Sequence, residues 1–156
     1  MEKVKQKDYQ GAIKAFNEAL KISENTDIYT SRGVARFKLG DTQGAIADYN
    51  QAIQVDSKNN RAYYNRGNIY RQLKNNQQAI ADYSQAIQID ANYAAAYNNR
   101  GRARYDLKDI QGAIEDLQKA VDLFFEQGDI ANYKQALDAL NSLKTSQKLS
   151  FDLIDI

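Results

Sequence analysis

The chain has 156 residues, 43% of them hydrophobic, and a formal net charge of +1, enough for one globular unit but giving no strong field toward nucleic acid or an anionic membrane. It has no Cys and no His, which removes disulfides, thiolate nucleophiles, sulfur-ligated metal and the commonest general base; with no Pro, long helices are unobstructed. No run of about 18 apolar residues offers a transmembrane span, and the polar start Met1-Glu-Lys-Val-Lys-Gln6 lacks a signal-peptide core, which sets an expectation of cytoplasm.

The first element is an amphipathic helix over residues 9–22, which buries Ala12, Ile13, Phe16, Ala19 and Leu20. Asp8 stands at its N-cap. Ahead of it, Met1 to Lys7 could give only about two helical turns, with Lys3 and Gln6 polar where core residues belong. Residues 1–25 therefore read as a truncated unit whose N-terminal side needs cover, from upstream repeats or from another chain.

From residue 26 the chain repeats itself. Tyr29-Thr-Ser-Arg-Gly33, Tyr63-Tyr-Asn-Arg-Gly67 and Tyr97-Asn-Asn-Arg-Gly101 are one phrase at a spacing of 34 residues. Each is followed by a second phrase, Gly44-Ala-Ile-Ala-Asp-Tyr49, Gln78-Ala-Ile-Ala-Asp-Tyr83 and Gly112-Ala-Ile-Glu-Asp-Leu117. Full units are expected over residues 26–59, 60–93 and 94–127. In the first helix of a unit, Tyr63, Gly67, Tyr70 and Leu73 share one face. A mid-helix glycine costs about 1 kcal/mol relative to alanine, so its recurrence at 33, 67 and 101 implies close approach by the second helix. Gly40 can adopt the left-handed C-cap, and Asp41, Asn75 and Asp109 the N-cap of each second helix. Those helices bury Ala45, Ile46, Tyr49, Ala52 and Ile53, with counterparts in the two later units.

Residues 128–149 form one more amphipathic helix, its inner stripe Ile130, Tyr133, Leu137, Leu140 and Leu143 and its wet face including Lys134 and Lys144. It is the polar-backed cap that an array needs. Residues 150–156 make an apolar tail, Phe151-Asp-Leu-Ile-Asp-Ile156, either disordered or extended in a groove of its own chain or a neighbour's. The half-unit at one end and the tail at the other are the two surfaces through which self-association is expected.

A 34-residue period of two helical phrases marks a solenoid of helix pairs. The aromatic, glycine, alanine, aromatic and alanine at Tyr63, Gly67, Ala79, Tyr83 and Ala86 resemble the tetratricopeptide repeat, and the resemblance covers roughly residues 1–127. It implies an all-α, right-handed superhelical solenoid of antiparallel helix pairs. The usual closing proline is Ser57 or Ala91 here, and the usual leucine before the glycine is Arg32, Arg66 or Arg100.

Those arginines lie on the buried side of the first helix, where a charge needs a partner. Asp48, Asp82 and Asp116 recur at a fixed offset of 16, and the leading half-unit lacks both the arginine and the aspartate. An ion pair within each unit is expected, against the sharper reading of a ligand-binding arginine ladder.

The resemblance also implies that the first helices line a concave groove. Opposite the buried stripe stand Asp27, Thr30, Ser31, Val34 and Phe37, then Arg61, Tyr64, Asn65, Asn68 and Arg71, then Ala95, Asn98, Asn99, Arg102 and Tyr105. Asn65 and Asn99, one repeat apart, could each bond an extended peptide backbone. The family's clamp for chaperone C-terminal carboxylates is not formed: its lysine place holds Thr30 or Tyr64, its asparagine partner Val34 or Asn68, and its downstream basic pair is absent at Ala95 and Asn99. The three arginines Arg61, Arg71 and Arg102 favour a ligand with acidic character. The expected function is a non-catalytic scaffold that binds a peptide segment of a partner protein, with no metal and no cofactor. The alternative is a single-stranded RNA-binding helical repeat, for which a net charge of +1 is a poor footprint.

Overall fold

The computed structural model describes residues 8–152, and side chains as far as Lys148. The polar segment 1–7 and residues 153–156 of the tail lie outside the described residues. Eight α-helices follow one another: α1 Tyr9–Ile22, α2 Thr26–Lys38, α3 Thr42–Val55, α4 Asn60–Gln72, α5 Asn76–Ile89, α6 Ala94–Asp106, α7 Ile110–Glu126 and α8 Ile130–Asp152. No strand occurs among the described residues, and no helix is long and apolar enough to cross a membrane.

Local chemistry sets the boundaries. Asp8, Asp41 and Asp109 each accept a hydrogen bond from the backbone N–H three residues on, at 2.7, 2.8 and 2.9 Å, and start α1, α3 and α7. The turn inside each helix pair needs one left-handed residue, supplied by Gly40 (φ 84°), Lys74 (φ 62°) and Lys108 (φ 68°). The two lysines accept a conformation that costs an L-residue roughly 1–2 kcal/mol. Leu73 is the C-cap of α4 and is exposed, as are Leu39 and Leu107 in the neighbouring units, so the buried stripe of each first helix stops one turn earlier than expected.

Within a pair the two helices meet at the glycine. A Cβ at Gly33 would lie 2.7 Å from the Tyr49 ring, and one at Gly67 2.9 Å from the Tyr83 ring. Tyr49, Ala52, Ala62 and Ile69 form one core cluster, and Leu117, Val121, Leu123, Phe124, Ala136, Leu140 and Leu143 another. Such burial is worth about 25 cal/mol per Å² of apolar surface. Consecutive helices pack against each other along the chain; in addition α2 touches α4 and α4 touches α6, with no comparable contact between α3 and α5 or α5 and α7. The first helices of the units therefore run along the inside of the curve.

The far end departs from expectation in two places. Ile130 is exposed, and Ala136 takes the buried place in the stripe of α8. The helix also continues through Asp152, so residues 150–152 extend α8 instead of starting a separate tail.

Candidate functional site

The arginine–aspartate pairs form the wall behind the inner face. Arg32 Nη2 lies 2.6 Å from Asp48 Oδ1, Arg66 Nη2 2.7 Å from Asp82 Oδ1 and Arg100 Nη2 2.7 Å from Asp116 Oδ1. Each is a two-point fork, Nε and Nη2 gripping the same carboxylate. The hydrogen bond that Arg66 donates to Asp82 raises the Arg66 pKa further, against the opposing effect of burial. Nη1 is left over and reaches the preceding unit: Asn17 Oδ1 at 2.7 Å, Asn50 Oδ1 at 2.6 Å and Ser84 Oγ at 3.0 Å respectively. The arginine therefore ties each unit to the one before it as well as to its own second helix.

Two further arginines were not foreseen. Arg36 Nη1 lies 3.0 Å from Asp48 Oδ2, and Arg104 Nη1 3.0 Å from Asp116 Oδ2. Each also donates to a glycine carbonyl, Gly44 or Gly112. The middle unit has Tyr70 at that place and Gln78 for the glycine, so Arg66 is the one ion-pair partner of Asp82 among the described residues. The joint change of Arg to Tyr and Gly to Gln was readable in the sequence.

On the inner face, the residues expected to line one surface divide into several roles. Thr30 is fully buried and must be removed from the groove set. Asn59, the N-cap of α4, lies over it: its Nδ2 donates to Thr30 Oγ1 at 3.0 Å and to Thr26 Oγ1 at 2.7 Å, while its Oδ1 caps the backbone N–H of Ala62. Val34 and Phe37 pack half-buried against the core cluster of Tyr49 and Ile69. Arg61 is exposed; Asn65 is half-buried and makes no hydrogen bond among the described residues.

One unit later, the residue at the place of Thr30 is Tyr64, and the residue at the place of Asn59 is Tyr93. Here the cap has been exchanged for an aromatic contact. Tyr93 makes no side-chain capping bond, and its ring stands 4.8 Å from that of Tyr64, which in turn lies 5.9 Å from Tyr83. Tyr93 was missed by sequence reasoning, although the series Asn25, Asn59, Tyr93 signals a lost cap. Burial pushes the Tyr93 phenol up to about 12 and raises the phenols of Tyr83 and Tyr49 as well.

Beside this aromatic set sits a closed amide network. Asn99 Nδ2 donates to Asn68 Oδ1 at 2.9 Å and to the Tyr64 hydroxyl at 3.2 Å, and the Tyr83 hydroxyl donates to Asn68 Oδ1 at 2.8 Å. The Arg71 guanidinium lies close enough to the Tyr83 hydroxyl to oppose part of the rise that burial gives its pKa. Asn99 thus ties α6 to α4, and its donors are spent within the chain. A matched ladder of Asn65 and Asn99 is not what the structure presents: Asn65 is free to meet a ligand, and Asn99 holds the floor. Asn98 turns its Nδ2 toward Asn99 and leaves Oδ1 buried without a partner.

Toward α8 the face opens into a recess of about 370 Å³, lined by Arg71, Arg102, Tyr105, Leu117 and Leu143 among others. The sequence placed Arg71, Arg102 and Tyr105 on this face; it gave no sign that α8 closes it.

Family models described as "TPR repeat" and "Tetratricopeptide repeat" match residues 33–73, 67–108, 94–126 and 1–26. A TPR repeat-containing protein of Methanocaldococcus jannaschii is 34% identical over a match covering 38% of this chain and 17% of that protein. Sperm-associated antigen 1 of Rattus norvegicus is 47% identical over 60 residues, 38% of this chain and 7% of its own length. The matches thus span less than a fifth of these relatives. Among solved structures, the first TPR of Spaghetti (RPAP3) bound to the HSP90 peptide SRMEEVD superposes with a TM-score of 0.71 at 25% identity, covering 79% of this chain and 93% of that one. The TPR2B domain of yeast Sti1, in complex with an Hsp70 peptide, gives 0.72 at 23% identity, covering 78% and 97%.

Proposed function

This chain belongs to the tetratricopeptide repeat family, and on that premise we propose that it is a non-catalytic scaffold that binds a peptide segment of a partner protein along its inner face. One observation carries this reading. A helix cap has been given up at Tyr93 to build the Tyr64–Tyr93 aromatic contact on the inner face. A good cap is worth about 1 kcal/mol and an aromatic pair about 0.5–1.5 kcal/mol, so the exchange leaves stability about level and puts an aromatic pair on the inner face in place of a local cap. Arg61, Asn65 and the Tyr64 ring flank one another on α4 and offer a cation, an amide and an aromatic plate to an extended chain.

The partner in this reading is not a chaperone tail. Thr30, at the lysine place of that clamp, is buried, and Tyr64, at the same place one unit later, is stacked between Tyr83 and Tyr93.

Phage display of random heptapeptides on the intact chain tests the reading. Selected peptides are expected to lose about tenfold or more in affinity, or about 1.4 kcal/mol, on a Arg61→Ala/Asn65→Ala double variant, and SRMEEVD is expected not to bind. Selection of peptides whose binding ignores this face, or preferential capture of single-stranded RNA in a parallel filter-binding arm, would refute it.

A further inference from the structure

Two guanidinium groups converge on the recess between α4, α6 and α8, and both are under-satisfied. Arg71 Nε and Arg102 Nε are each buried without a hydrogen-bond partner among the described residues. Other arginines of the first helices are treated differently: Arg32, Arg36, Arg66, Arg100 and Arg104 all have carboxylates within 4 Å. Arg71 lies beside the Tyr83 hydroxyl and shares a polar recess with Asn68 and Asn99, with no ion pair among the described residues. Arg102 makes no hydrogen bond, ion pair or ring contact with any described residue. Asp106, one turn after Arg102, lines the rim and is likewise unpaired among the described residues.

A buried N–H without an acceptor costs the desolvation of that group, more when the group is charged. Both arginine side chains line one open recess while their Nε donors lack an acceptor among the described residues, and two cations with one rim carboxylate leave a positive excess. The remaining lining mixes apolar side chains, Tyr105, Leu117, Ala139 and Leu143, with Ser142 and Ser146 of α8, whose hydroxyls donate to backbone carbonyls of their own helix. We infer that this recess is the subsite for an acidic side chain of the bound peptide, with a neighbouring apolar side chain seated against Tyr105 and Leu143. The two guanidinium groups donate to the carboxylate in charge-assisted bonds, and their Nε–Hε groups sense its arrival. The inference rests on the peptide-binding reading above and adds the chemistry of one ligand position. It also gives α8 a part in recognition, since Leu143 comes from that helix.

The test uses the full chain and follows the arginine Nε–Hε resonances by NMR, assigned with Arg71→Gln and Arg102→Gln. The probes are acetyl-Glu-Leu-amide, acetyl-Gln-Leu-amide and inorganic phosphate, each raised to millimolar concentration, the range in which weak single-subsite contacts register. Both Nε–Hε signals are expected to move with the Glu probe and to stay fixed with the Gln probe. Arg102→Gln, which breaks no hydrogen bond or ion pair among the described residues, should weaken the Glu probe about tenfold, the scale of one charge-assisted hydrogen bond. Movement with phosphate but not with the Glu probe would overturn the assignment in favour of a small free anion, and fixed signals with every probe would overturn it outright. Should heptapeptides selected on the Arg61 and Asn65 face bind while both Nε–Hε signals stay still, the peptide-binding reading survives and this subsite falls.

Discussion

The ring of Tyr83 lies across Gly67: a Cβ at that glycine would come within 2.9 Å of Tyr83 Cε1. The relationship repeats between Gly33 and Tyr49 at 2.7 Å. Gly101 faces Leu117 Cγ at 3.2 Å and the Ala113 carbonyl at the same distance. A Gly67→Ala change gains about 1 kcal/mol of helix propensity and meets an overpacking cost of about 1–3 kcal/mol. The expected net outcome is a loss of about 1 kcal/mol in urea unfolding. Combining it with Tyr83→Leu should recover part of that loss relative to Tyr83→Leu alone; strict additivity would show that ring and glycine do not oppose each other.

The arginines at position 7 of each unit should differ in cost. Replacing Arg66 by Leu leaves Asp82 buried with no cation, which is expected to cost about 3–5 kcal/mol. Replacing Arg32 by Leu leaves Asp48 with Arg36, and Arg100→Leu leaves Asp116 with Arg104. These two should cost clearly less, measured by the same unfolding curves. Equal losses at all three sites would mean that the second arginines do not share the charge.

Tyr93→Asn restores a side chain that can cap α6 but removes the ring against Tyr64. The cap contributes about 1 kcal/mol and the aromatic pair about 0.5–1.5 kcal/mol, so stability should stay within about 1 kcal/mol of the parent. Affinity for peptides selected on the intact chain should nevertheless fall. Unchanged affinity with unchanged stability would remove Tyr93 from the binding face.

Alkaline pH should unfold the array. Burial raises the phenol pKa of Tyr49, Tyr83 and Tyr93 above the ordinary value of 10.0. In the folded state these groups hold their protons at a pH where the unfolded chain releases them. Their contribution is therefore complete below pH 10 and is lost as pH climbs from 10 through about 12, the Tyr93 value. Thermal melts should be flat with respect to this effect up to pH 9 and fall steeply beyond 10, with the phenolate absorbance removed by Tyr49→Phe, Tyr83→Phe or Tyr93→Phe appearing only together with loss of helix. Phenolate assigned in this way to one of these three residues at pH 10 with the helix intact would contradict the burial of its ring.

Much of this was legible residue by residue. The helix pairs, the aspartate caps, the left-handed Gly40, the glycine against the second helix and the offset of 16 between arginine and aspartate are all encoded within one unit. A helix, a tight turn and a second helix have almost no freedom to place those residues otherwise. What the sequence left undecided lies between units. Thr30 and Tyr64 occupy the same place in their helices, yet one is buried under Asn59 and the other stacks on Tyr93, because the N-cap of the next unit falls over that position. Asn99 reads like Asn65 along the chain, but the approach of α6 to α4 spends its amide on Asn68 and Tyr64. The meeting of Arg71 with Arg102 in a recess closed by α8 likewise depends on the rotation from one unit to the next. That rotation is set by side-chain packing across the joints, and a periodicity repeated every 34 residues carries no record of it.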